Sequence, residues 1–137
     1  MNIHPLVGVG PARFGMTPDQ VVSALKEPQV YEDWMSGNLN SSLVYHGMIL
    51  GFDRCASAGP LPDSRLCEVR MCGRQDAKLF ERGIATWTVD TMEVELSARS
   101  IAHERHANGD LSVPSLGLAL SFSDEGVVEY VEMWRPR

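Results

Sequence analysis

Two histidines three residues apart, in His103-Glu104-Arg105-His106, form the most metal-like cluster in the chain. On a helix that spacing puts both imidazoles on one face, where carboxylates could complete a zinc site. The order differs from the His-Glu-x-x-His of a metalloprotease. Asn108, Gly109 and Asp110 follow at once, which places the cluster on an exposed helix end or loop, with His106 near a helix carboxyl end. The histidines are therefore read as solvated, and no metal or cofactor is expected. Cysteine chemistry would need a thiolate activated by a nearby base. Cys67 alternates in phase with the apolar Val69 and Met71, which predicts burial. Cys55 falls in a loop with nothing beside it to activate it, and Cys72 makes the count odd with no Cys-x-x-Cys spacing. There is no Gly-x-Ser-x-Gly elbow. Gly8, Gly10 and Gly15 are too widely set for a phosphate-cradling loop and read as turn residues. The expectation is a chain that is not an enzyme.

Aromatic and acidic residues carry more. Tyr31-Glu32-Asp33-Trp34 lies in a polar connection, where an aromatic ring has less automatic core duty than on a strand. Tyrosine and tryptophan are enriched at interface hot spots, and carboxylates steer basic partners. Alternatively Trp34 packs down on a sheet. Near the carboxyl end, Glu129 alternates with Val131 and Met133, while Val128, Tyr130, Glu132 and Trp134 form the other face. Both faces mix apolar and acidic side chains. Tyr31, Glu32, Asp33, Trp34, Glu129 and Glu132 are the candidate partner-binding residues.

These residues must be positioned by helices and strands with recognisable signals. Thr17 suits an N-cap, Pro18 the first helical position, Asp19 the positive end of the dipole, and Gln20 completes a capping box. Met16 can staple to Val21, and Val21, Val22 and Leu25 give an apolar face that ends before Pro28. Ser42 to Phe52 reads as one strand, or two joined by a turn at His46-Gly47. Asp53 to Arg65, with Gly59, Pro60 and Pro62, is expected to be an exposed loop. Leu66 to Cys72 alternates as a half-buried strand. Leu116–Phe122 and Val127–Trp134 flank Ser123-Asp124-Glu125-Gly126, which predicts a β-hairpin.

Trp87 to Ser97 fits two patterns. Met92, Val94 and Leu96 alternate as in a strand, whereas Val89, Met92 and Leu96 stand at helical spacing behind a Thr88 cap. Sliding the sequence on itself places Thr17 on Thr88, Asp19 on Asp90, Val21 on Met92 and Leu25 on Leu96, and a nearly equal offset places Gly47 on Gly117. That match favours the helix. It also predicts one α+β domain over 1–137, made of two tandem helix-plus-antiparallel-sheet units at roughly 10–73 and 80–135.

Eighteen acidic and twelve basic residues give a formal charge of −6. Such a balance repels phosphate backbones and anionic membranes and speeds encounter with a basic protein. The amino terminus shows neither the basic nor the apolar region of a secretory signal, and no apolar run approaches the roughly 20 residues that span a bilayer. With its thiols, the chain is expected in the cytoplasm.

The stretch Gly10-Pro11-Ala12-Arg13-Phe14-Gly15-Met16-Thr17-Pro18-Asp19-Gln20-Val21, followed by Leu25 and Pro28, resembles the opening of a known helix-plus-sheet unit. That unit is the repeat of the β-lactamase inhibitor protein family and the fold of the small lipoproteins of outer-membrane assembly. In layout the chain is similar to small cytoplasmic bacterial immunity proteins. The lipobox cysteine of a lipoprotein is absent near Met1. The resemblance implies a binding fold without catalysis, and the expected function is immunity. A basic toxin, such as a nuclease, would be neutralised by carboxylates that occlude its active site. The competing readings are a generic interaction module and a small metal-dependent enzyme using His103 and His106.

Overall fold

The computed structural model describes residues 1–135. Three short strands open the chain: β1 (Asn2–His4), β2 (Gly8–Val9) and β3 (Ala12–Arg13). Helix α1 (Pro18–Leu25) follows, then β4 (Ser42–Tyr45) and β5 (Met48–Phe52). A small ribbon, β6 (Cys55–Ala56) and β7 (Gly59–Pro60), precedes β8 (Leu66–Cys72). The second half runs through β9 (Lys78–Leu79), β10 (Arg82–Gly83) and α2 (Val89–Ala98). It ends with β11 (Glu104–Arg105), β12 (Leu111–Val113), β13 (Leu118–Phe122) and β14 (Val128–Trp134). The architecture is mixed α+β.

Local chemistry explains where the helices start and stop. The Thr17 hydroxyl accepts from the Gln20 amide at 3.4 Å, while the Gln20 side chain accepts from the Thr17 amide at 2.9 Å. This reciprocal cap satisfies two amides that helical geometry leaves unpaired. Lys26, left-handed at φ 54, closes α1, whose Pro18, Val21 and Leu25 are buried. Thr88 and Thr91 form the same box at the start of α2, with Met92 and Leu96 buried. Trp87 to Ser97 is thus mainly helical. Val94 points to solvent, which is why its apolar character imitated a strand.

The principal sheet has the order β11-β12-β13-β14-β8-β5-β4, and every neighbouring pair in it is antiparallel. Two meanders, β12-β13-β14 and β4-β5-β8, meet where β14 pairs with β8. Gly47 and Gly117, both with positive φ, precede β5 and β13. At Gly117 a Cβ would stand 2.5 Å from the Trp134 carbonyl oxygen, so only glycine fits. A second sheet, β10-β9-β1-β2-β3, joins the two halves through the parallel pair β1–β9. One apolar cluster takes residues from both helices and both sheets, including Val9, Val21, Leu79, Met92, Leu96, Val69, Leu120 and Val131. No helix among the described residues is long and apolar enough to cross a membrane.

Two segments differ from expectation. The stretch from Asp53 to Arg65 contains the β6–β7 ribbon and the fully buried Ser64, whose hydroxyl donates to the Leu61 carbonyl at 2.6 Å. The histidine cluster takes the loop alternative rather than the helix end: α2 stops at Ala98 and His103 and His106 flank the two-residue β11, with His106 exposed but the His103 side chain only 16% exposed. Asn108 and Asp110 instead shape the tight turn between β11 and β12.

Candidate functional site

The sheet has one face under the helices and one turned away from them. On β14 the core face takes Val131 and Met133, while Tyr130, Glu132 and Trp134 alternate to the outer face. Register sets their neighbours: Glu132 lies between Arg70 on β8 and Ala119 on β13, Tyr130 opposite Cys72, and Trp134 opposite Glu68. Arg70 Nε approaches Glu68 Oε1 at 3.5 Å. Burial pushes the Glu132 carboxyl above its ordinary range, and the Glu68 charge adds to that while Arg70 opposes it. Burial also raises the Tyr130 phenol, with Arg70 opposing. The face therefore holds a half-buried carboxylate between two aromatic residues of its own strand, with one guanidinium and a second carboxylate alongside.

The connection after α1 reaches onto this face. The Val30 amide donates to the Val44 carbonyl at 3.1 Å, and the Trp34 ring meets Tyr130 edge-on, with centroids 6.5 Å apart and planes at 78°. Glu32 fixes that pose from within: its Oε1 accepts from Trp34 Nε1 at 3.0 Å and from the Gly47 amide at 2.6 Å, and its Oε2 lies 2.7 Å from His46 Nδ1. These bonds, that from Trp34 foremost, lower the Glu32 carboxyl to about 2. Tyr31 is 66% exposed and donates its hydroxyl to the Met35 carbonyl at 2.8 Å. Asp33 is exposed.

Of the sequence-derived candidates, the structure brings Tyr31, Glu32, Asp33 and Trp34 together and carries them, through Trp34, to the strand bearing Glu132. Glu129 lies elsewhere. A bulge between Ser121 and Phe122 pairs Ser121 with Tyr130 and Phe122 with Val128, leaving Glu129 unmatched and exposed. Sequence reasoning missed Glu68 and Arg70 as members of the face. Their out-of-phase position on β8 was legible, but nothing in the sequence says that β8 pairs with β14.

The remaining chemistry-bearing residues are dispersed. His103 Nε2 is 3.4 Å from Glu93 and its Nδ1 is 3.0 Å from the Ile101 carbonyl, whereas His106 Nε2 is 2.7 Å from Ser112 Oγ. Among the described residues no group of three or more His, Cys, Asp or Glu could hold a metal ion. Cys55 is exposed; Cys67 is half-buried rather than buried, its Sγ 3.5 Å from the Gly51 carbonyl oxygen. Burial pushes the Cys72 thiol up, away from the reactive thiolate. No family model, curated protein or solved structure matches the chain.

Proposed function

We propose that this chain is an immunity-type protein, without catalytic activity, that binds and neutralises a basic toxin such as a nuclease inside the cytoplasm. The observation that carries the reading is the outer face of β14, where the half-buried Glu132 stands between Tyr130, with Trp34 against it, and the partly exposed Trp134. Rigid aromatic rings beside a desolvated carboxylate are what a protein interface uses to anchor a cationic side chain. The net charge of −6 gives the long-range attraction that brings a basic protein to that face. Neutralisation would follow by occlusion, with carboxylates lying in the electropositive cleft where the toxin takes its substrate.

The same reading includes a tandem build, with units over 10–73 and 80–135. It is supported by the matched capping boxes at Thr17 and Thr88, the positive-φ glycines before β5 and β13, and the mirrored strand order about the β8–β14 pair.

Capture from a lysate of the producing cell tests the function. The wild-type chain should retain a protein of high isoelectric point, and the double variant Glu132→Lys, Trp134→Ala, still folded by circular dichroism, should release it. Equal retention by both would overturn the assignment of the face.

A further inference from the structure

The second sheet opens a crevice where its two parallel strands end. Strand β1 turns aside into β2 and β9 turns the other way into β10, as the order β10-β9-β1-β2 requires, so the two chains part at the carboxyl ends of β1 and β9. Parallel strands whose chains diverge in this way leave a crevice in which ligands bind, and here it measures about 340 Å³. Basic side chains from three elements line it: His4 at the end of β1, Lys78 on β9 and Arg99 at the C-cap of α2. Among the described residues the Lys78 ammonium and the His4 ring have no hydrogen-bond or ion-pair partner. The Arg99 guanidinium is held in place instead. Its Nε donates to Glu95 at 3.0 Å and its carbon lies 4.3 Å from the centre of the Phe80 ring, which leaves both terminal nitrogens for a ligand. The turn between β9 and β10 makes that seat. Leu79 pairs with Arg82, so Phe80 and Glu81 are the two turn residues, and both are left-handed, at φ 51 and 64. Such turns favour glycine and asparagine; side chains there carry strain of the kind that clusters at ligand sites. Phe80 sets its ring against Arg99, and Glu81 puts a carboxylate on the rim.

We propose that this crevice binds a compact phosphate monoester, its phosphate among His4, Lys78 and Arg99 and its organic part against Pro5 and Phe80. A phosphate presents three oxygens as a tripod, which suits donors arriving from three elements, whereas a carboxylate presents two in one plane. The Arg99 fork, already fixed by its ring contact and its bond to Glu95, gives up little freedom on binding. Glu81 on the rim and the net charge of −6 repel a second phosphate, which disfavours polyphosphates and nucleic-acid backbones. The crevice shares no residue with the outer face of β14, so the proposal stands apart from the binding of a basic protein.

The test is a titration of the intact chain followed by its amide NMR spectrum, at about 0.15 M salt so that loose ion association is screened. Glycerol phosphate is the probe, with inorganic phosphate, pyrophosphate and glycerol in parallel. Saturable shifts at His4, Lys78, Phe80 and Glu81 are expected with glycerol phosphate, weaker with inorganic phosphate and pyrophosphate, and absent with glycerol. Lys78→Gln and Arg99→Gln should each weaken the ester about tenfold, with melting temperatures close to that of the wild type because both side chains are exposed. Glu81→Gly should strengthen pyrophosphate by removing the rim carboxylate. No saturable shift with any phosphate, the same shifts with glycerol, or an affinity unmoved in both Lys78→Gln and Arg99→Gln would overturn the proposal. Pyrophosphate bound as tightly as the ester by the wild-type chain would overturn the choice of a monoester.

Discussion

Glu32 illustrates how a residue chosen for one duty can carry another. Its type and setting made it a steering charge, yet both of its oxygens are engaged by Trp34, Gly47 and His46. Its contribution is to hold Trp34 against Tyr130. A carboxyl lowered in the fold from 4.5 to about 2 adds stability that is complete above the unfolded value and is lost as pH falls through about 2. The Trp34 indole proton resonance should therefore pass through the ordinary carboxyl range near 4.5 without a transition and shift as Glu32 titrates near 2. A midpoint near 4.5 would show that the carboxylate is not so held. Arg74, 6% exposed, binds Glu27 through both terminal nitrogens and Asp76 through Nε. Arg74→Ala should cost about 3 kcal/mol by leaving a partly buried carboxylate unpaired, a loss that chemical denaturation would register. Neither network was legible as a whole in the sequence, because Glu32 meets His46 and Gly47, and Arg74 meets Glu27, only through tertiary packing.

Elements were far more legible than contacts. Thr17-Pro18-Asp19-Gln20 defined the start of α1 because a cap is local chemistry. Thr17→Ala should cost about 1 kcal/mol in denaturant unfolding; an unchanged midpoint would mean that tertiary packing alone sets the helix start. The hairpin of β13 and β14 was legible from its turn residues, although β13 starts only at Leu118, after the short helical turn Pro114–Leu116. Periodicity failed for Trp87 to Ser97, since the exposed Val94 mimics alternation, and the resemblance of its Thr88 cap to Thr17 was the better guide. The bulge that frees Glu129 left no trace, because it lies in strand pairing rather than composition.

At the scale of the whole molecule, the excess of acidic over basic residues meets a specific surface. The outer face of β14 adds Glu132 and Trp134 to the aromatic contact of Trp34 with Tyr130. The charge was legible at once, but the face was not, since it needs the β8–β14 register that places Arg70 and Glu68 beside Glu132. Long-range attraction acts on encounter, whereas desolvated contacts act on release. The most direct measurement is stopped-flow association with the captured basic partner at low and high salt, for the wild-type chain and for Glu132→Lys. The association rate should fall steeply as salt rises, and the variant should associate more slowly and dissociate faster. An association rate indifferent to salt, with both rates indifferent to the reversal at Glu132, would contradict binding of a basic partner through this face.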